Sequence, residues 1–341
     1  MILHIFGGGH KFLDPFANMI YNNFDYQKHQ FALLTSSNDY GDILYKDNVV
    51  FIHHDLKSCV RLIIMMNRAE KIIVHGLFSR QMILSILLSN NSNKCYVALW
   101  GGDFYDAPKE HRIHRYAKSK ILRNCKGISF ELKEDLPFVQ RWYKTNAQYF
   151  PCLLYYSNVV NNKTQLISQN NSELKIQIGN SADPSNNHFE ILNALRAFNN
   201  CKIKLYIPLS YGDMRYAEKV TEYANKLFPG KVVVLRDFVP FDQYMDFLNS
   251  LDIAIFAHKR QQALGNTVSL LTMGKKVYLR DDVTVYRHFN NCGVHVYTLD
   301  SLSKTLLTPM TDEEKEFNHK FMKENFTEKV LIRQWKTIFD D

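Results

Sequence analysis

The sequence has no Cys-x-x-Cys pair: its six cysteines, at 59, 95, 125, 152, 201 and 292, are scattered along 341 residues. That pattern argues against a structural zinc site or a disulfide framework and fits a reducing cytosol. No apolar run reaches the roughly 18 residues needed to span a bilayer. The opening MILHIFGGGHKF lacks a basic lead and a small-residue cleavage site, so it reads as a first strand and not a signal peptide. Gly7-Gly8-Gly9-His10 follows that strand without the Gly-x-Gly-x-x-Gly spacing, and no acidic residue closes a second strand, which excludes an NAD-type site. There is no phosphate-binding G-x-x-x-x-G-K-[ST] loop, no Asp-x-Asp triplet and no internal repeat.

What is present is a globular composition. An apolar fraction of 46% with 13% aromatics supplies a substantial core, and the length suits two domains of ordinary size. The net charge of +8 is uneven: residues 1–150 hold nineteen Lys and Arg against thirteen Asp and Glu. Much of the excess lies in KEHRIHRYAKSKILRNCKG, where Arg112, Arg115, Arg123 and Lys126 fall near one helix face. Such a face is either simply solvated or rests on anionic lipid headgroups. Nucleic acid is not expected, because no recognition motif accompanies the charge.

Short apolar runs (MILHIF, QFALLT, VVFIHH, KIIVHG, CYVALWG, GISFEL) alternate with helical patterns. This predicts a mostly parallel sheet covered by helices. The alternation stops at the Asn-rich stretch 157–173, which reads as a linker, and restarts at LKIQIG. The expected organisation is an α/β domain over 1–156, the linker, and a second α/β domain over 174–310. Helices over 311–341 are expected to pack back toward the first domain.

In open α/β sheets, ligands sit beyond the carboxyl ends of the strands, so the loops there are the candidates. The glycine turn with Gly8, Gly9 and His10 follows the first strand. Trp100-Gly101-Gly102-Asp103 follows another and sets a carboxylate among aromatic rings, which suits either a general base of raised pKa or an N-cap. His75 ends the preceding strand and shares that rim. In the second half, Gly179, Asn180, Ser181 and Asn186 belong to a loop dense in small polar groups before a helix. Tyr211 lies on the next loop. Arg260, Gln261 and Gln262, beside Lys259, precede Gly265, Asn266 and Thr267, where the last two are candidate helix caps. Cations at a helix start favour an anion, and an arginine holds two phosphate oxygens at once.

Taken in order, HGLFSRQ, LWGGDFYD, IGNSADPSNNH, YIPLSYG and RQQALGNT resemble glycosyltransferase family 56, over roughly residues 1–290. The resemblance implies a GT-B fold, two Rossmann-like domains facing across a cleft, with acceptor bound by the first and nucleotide-sugar by the second. It implies a dTDP-linked deoxy-amino sugar donor and a polyprenyl-diphosphate-linked glycan acceptor, in O-antigen or common antigen synthesis. The place of action is then the cytoplasmic face of the bacterial inner membrane, with the protein peripheral to an anionic surface. On this reading Gly179, Asn180, Ser181, Asn186, Tyr211, Arg260, Gln261, Gln262, Gly265, Asn266 and Thr267 bind donor. Gly8, Gly9, His10, Trp100 and Gly102 line the acceptor side. Asp103 is the expected catalytic base, with His75 second. No cofactor and no metal is expected, since cations and a helix dipole would meet the diphosphate's charge. The alternatives are a nucleotide-sugar 2-epimerase of the same architecture and a non-catalytic nucleotide- or glycan-binding subunit.

Overall fold

The computed structural model describes residues 1–7, 10–35, 48–160, 164–166 and 172–341. Gly8 and Gly9 lie outside the described residues, as do the side chain of His10 and residues 161–163 and 167–171 of the expected linker. The chain forms two compact units, Met1–Asn158 with Glu328–Asp341, and Val159–Thr327.

Unit 1 is built from β1 (Ile2–Phe6), α1 (His10–Asn23), β2 (His29–Leu34), β3 (Val49–Ile52), α2 (Leu56–Arg68), β4 (Lys71–His75) and α3 (Arg80–Ser89). It continues with β5 (Cys95–Ala98), α4 (Gly102–Tyr105), α5 (Arg112–Asn124), β6 (Gly127–Phe130), α6 (Leu136–Tyr143) and β7 (Gln148–Pro151). The seven strands are parallel in the order β3-β2-β1-β4-β5-β6-β7. Strands covered on both faces read as continuous apolar runs, which is why β5 and β6 are buried along their whole length. Asp55 starts α2 by accepting from the backbone N–H of Ser58 at 2.8 Å, and Ser79 starts α3 in the same way through Met82.

Unit 2 repeats the plan with β8 (Leu174–Ile178), α7 (His188–Leu195), β9 (Ile203–Pro208), α8 (Met214–Leu227), β10 (Val232–Leu235), α9 (Phe241–Ser250) and β11 (Ile253–Phe256). Then follow α10 (Leu264–Thr272), β12 (Lys276–Leu279), α11 (Thr284–Asn291), β13 (Tyr297–Thr298), α12 (Leu302–Thr305) and α13 (Asp312–Asn325). Its six strands are parallel in the order β10-β9-β8-β11-β12-β13. A capping box between Thr311 and Glu314 opens α13, which packs on α10 within unit 2.

The last helix, α14 (Glu328–Asp340), belongs to unit 1. It buries Leu331, Trp335 and Ile338, at the spacing of one helix face. The indole N–H of Trp335 donates to the carbonyl of Leu154 at 3.0 Å. Truncating so buried a tryptophan costs about 3–5 kcal/mol, so unit 1 depends on a segment that arrives after all of unit 2.

Candidate active site

In unit 2 the strand order reverses between β8 and β11, so the loops after those strands start side by side. A ligand crevice opens at such a switch point in doubly wound sheets. The β8 loop turns at Gly179, whose φ is +63°. A Cβ there would sit 2.6 Å from Nε2 of His188 and 2.8 Å from Oδ1 of Asn186, so only glycine fits. Fully buried Asn186 holds the loop from inside. Its Oδ1 accepts from the backbone N–H of Asn180 at 2.8 Å and lies 2.9 Å from Nε2 of His258. Its Nδ2 donates to Oγ of Ser181 and to the carbonyl of Asp183, each at 3.0 Å. All four hydrogen-bonding positions of the amide are then used. Asn186 and the buried Ser181 therefore shape the loop and do not offer side-chain groups to a ligand, which corrects the expectation that they contact one.

Three bonds tie the β8 loop to the β11 loop. Besides the Asn186–His258 contact, Nδ2 of Asn187 donates to the carbonyl of Ala257 at 2.8 Å, and Oγ of Ser185 donates to Oε1 of Gln262 at 2.9 Å. Burial pushes the His258 imidazole down to about 3, with the charge of Arg260 adding to it, so the ring is neutral at physiological pH. The same burial pushes His188 down to about 4. Asp183 is held below the usual carboxylate range, first by the backbone N–H of Ser185, and the nearby Arg260 charge adds to this.

Helix α10 starts one residue before Gly265, after Ala263 in the left-handed region at φ +56°. No side chain among the described residues caps it. Thr267 turns inward, its N–H and hydroxyl both on the carbonyl of Ala263 at 2.9 and 3.1 Å. Neither Asn266 nor Thr267 is the cap that the sequence allowed, and the donors left without an intrahelical partner are the N–H groups of Leu264, Gly265 and Asn266. Arg260 is half-buried beside this helix start, Gln261 is buried and Lys259 is exposed.

A cavity of about 600 Å³ opens next to these loops. Asn180, Tyr211 and Asn266 line its polar side, and Nδ2 of Asn180 reaches the Tyr211 hydroxyl at 3.3 Å. Its apolar walls come from Phe238, Phe241, Tyr244 and Phe247, on the loop after β10 and on α9. Burial pushes the Tyr244 hydroxyl up to about 12. Sequence reasoning passed over these aromatics. The signal was there in RDFVPFDQYMDF, an aromatic-rich loop at the carboxyl end of a strand.

In unit 1 both groups expected to be catalytic are buried. His75 is fully buried with both ring nitrogens engaged: Nε2 is 3.2 Å from Nδ1 of His4, and Nδ1 is 2.7 Å from the hydroxyl of Tyr155. His4 in turn meets Nδ1 of His29 at 2.9 Å, and Trp100 donates its indole N–H to Tyr155 at 2.9 Å. Asp103 is 1% exposed. Its carboxylate accepts from the backbone N–H groups of Trp100 at 2.8 Å and Leu77 at 3.1 Å, clamping together the loops after β5 and β4. Burial raises it to about 6 against those N–H groups and Lys118, and both carboxylate oxygens are engaged in holding the two loops. Two groups were not singled out from sequence. The exposed ring of Phe78 lies over Gly76 and Gly102 and against Trp100. Glu131, at the end of β6, accepts from Asn158 at 2.9 Å, and burial pushes its carboxyl up to about 8.

With this geometry in hand, comparison with known proteins is decisive for the family. The profile described as 4-alpha-L-fucosyltransferase, glycosyl transferase group 56, matches residues 3–339. The chain belongs to glycosyl transferase group 56. As a group 56 protein it is a glycosyltransferase, and its two doubly wound units make the GT-B fold. Sucrose-phosphate synthase from Thermosynechococcus elongatus shares that fold with a TM-score of 0.73 at 9% identity, over 99% of this chain and 98% of the other. HepE of Anabaena, solved in complex with UDP and glucose, superposes with a TM-score of 0.69 at 9% identity over 99% of each chain. A glycosyltransferase from Rickettsia africae gives 0.67 at 13% identity, over 99% and 97%.

Proposed function

We propose that this group 56 transferase takes its sugar from a nucleoside diphosphate bound at the β8/β11 switch point of unit 2. The observation that carries the reading is the cavity that joins an aromatic slot to an uncapped helix start. Phe238, Phe241, Tyr244 and Phe247 suit a pyrimidine base, and their apolar surface favours the methylated ring of dTDP. The diphosphate then lies toward the free N–H groups of Leu264, Gly265 and Asn266, with the Arg260 guanidinium gripping its oxygens. As the bond from the anomeric carbon to the diphosphate breaks, negative charge grows on the leaving oxygens, and donors already in position lower the barrier. Asn180 and Tyr211 contact the donor from the polar side. Gln262 holds the β11 loop through Ser185, as Asn186 and Ser181 hold the β8 loop, and Gln261 lies beside the donor. No resident metal is invoked, because residues of the chain meet the charge.

The acceptor in this proposal is a glycan on polyprenyl diphosphate, used in O-antigen or common antigen synthesis at the cytoplasmic face of the inner membrane. Trp100 and Phe78, carried on Gly76 and Gly102, present aromatic faces to it from unit 1, with Asp103 fixing the loops on which they stand. The HepE complex, which holds UDP and glucose, supports a nucleotide-linked donor. The direct test is a thermal-shift screen across nucleotide sugars, because a ligand at 100 times its Kd adds about 2.7 kcal/mol. dTDP-sugars are expected to raise the melting temperature most, and an equal response to dTDP, UDP, ADP and GDP would reject the base assignment.

A further inference from the structure

Three neighbouring helices of unit 1 carry an outward face that the fold leaves unused. Helix α3 packs between α2 and α5. Its start lies beside the start of α2, where Nε2 of Gln81 is 3.2 Å from Sγ of Cys59, and its end lies beside the end of α2 through Asn91 and Asn67. On α2 the side chains of Leu56, Val60 and Ile64 repeat every four residues and point to solvent, Leu56 being 81% exposed. On α3 Leu84 and Leu88 do the same, the latter 66% exposed. On α5 they are joined by Ile113, 73% exposed, and Tyr116. Single exposed apolar residues need no explanation, but repeated ones on three adjacent helices form a patch.

The charge around the patch has one sign. The three helices together hold nine Lys or Arg and no Asp or Glu. The acids that flank them in sequence are already engaged. Asp55 is spent on the N-terminus of α2, Glu70 pairs with the N-terminal amine at 3.0 Å, and Glu110 pairs with Lys118, the one buried lysine of the set. Arg115 also turns inward, donating to the carbonyl of Ala107 at 3.1 Å. That leaves Lys57, Arg61, Arg68, Arg80, Arg112, Lys120 and Arg123 exposed on the helices that carry the apolar side chains.

We propose that the outer face of α2, α3 and α5 docks on an anionic lipid bilayer, with the apolar side chains entering the headgroup boundary and the cations paired with lipid phosphates. Apolar side chains flanked by cations match the two layers of such a surface. The inference deepens the membrane-linked reading of the function and rests on it for its purpose. It also moves the contact from a single basic helix to three, with Lys126 beyond the end of α5 and Arg115 withdrawn from the rim.

The test is co-sedimentation of the intact protein, without donor, with phosphatidylcholine vesicles and with vesicles containing phosphatidylglycerol. Expected is partition to the anionic vesicles only, weakened by raising the salt. Leu84→Ser with Leu88→Ser should weaken it about tenfold, and Arg112→Glu with Lys120→Glu and Arg123→Glu about 100-fold, with melting temperatures matched to the parent. Equal partition to neutral and anionic vesicles overturns the proposal. So does a concentration-dependent dimer that the leucine substitutions disperse, which would assign the face to a second copy of this chain. Because no nucleotide is present, failure of the donor assignment leaves this result standing, and failure here leaves the donor assignment untouched.

Discussion

Unit 1 and unit 2 share a doubly wound topology and treat the polar groups in the loops beyond their strands in opposite ways. In unit 1 the loops after β4 and β5 are closed on themselves: the Asp103 carboxylate takes two backbone N–H groups, and His75 is bonded on both sides. In unit 2 the tying is done by buried neutral amides, and the backbone donors of α10 are left uncapped beside a cavity. A charged residue in a family-like motif is therefore a poor guide by itself to an open binding surface. Free donors next to open volume are the better one.

The sharpest way to break the comparison is Gly179→Ala. The added Cβ meets two side chains that form the knot, in a backbone conformation that disfavours it. Both donor affinity and stability should collapse, with transfer falling more than about 100-fold and on the order of 2 kcal/mol lost from folding. Near-normal kcat/KM would mean that the β8 loop is not part of the donor site.

Arg260→Ala comes next and separates charge from fold. Losing one preorganised donor costs on the order of 3 kcal/mol of barrier, or roughly 100-fold in rate. Arg260 is only half-buried, so the melting temperature should fall little, and an unchanged kcat would remove the guanidinium from the diphosphate.

On the unit 1 side, Asp103→Asn keeps one acceptor for two backbone N–H groups. A buried unsatisfied N–H costs about 1–3 kcal/mol, offset in part by removal of a buried charge. Stability should fall modestly while the thermal shift from dTDP-sugar stays as in the parent. Transfer lost with no change in stability, together with a lost pH dependence, would restore Asp103 as the base.

Much of this architecture was legible in the sequence, because buried parallel strands announce themselves as apolar runs and the Asn-rich stretch interrupts them. The RQQALGNT segment was legible as a helix start after a late strand. Its details were not: Ala263, and not a Gly, Asn or Thr, adopts the left-handed turn, which local propensity disfavours. The burial of His75 and Asp103 was not legible either. Their partners Tyr155, His4 and Leu77 are 80, 71 and 26 residues away in the chain, and only the bond from the Trp100 N–H to Asp103 is local. The aromatic wall at 238–247 was missed because helical periodicity also explains its spacing.

The smallest effect concerns protons. Nε2 of His188 is buried without a hydrogen-bond partner among the described residues, and burial lowers this imidazole from 6.5 to about 4. The folded state binds fewer protons than the unfolded state between those values, so stability falls as pH drops through that window, at up to about 1.4 kcal/mol per pH unit from this one group. Asp103 runs the other way: raised to about 6, it makes folding less favourable as pH rises from its ordinary 3.8 toward 6. His188→Gln keeps a polar side chain facing the Tyr216 hydroxyl, which stands 3.2 Å from Nδ1, and removes only the titration. Denaturation of parent and variant between pH 6.5 and 4.5 should give a shallower loss for the variant, and parallel curves would show that His188 is not neutral in the folded protein.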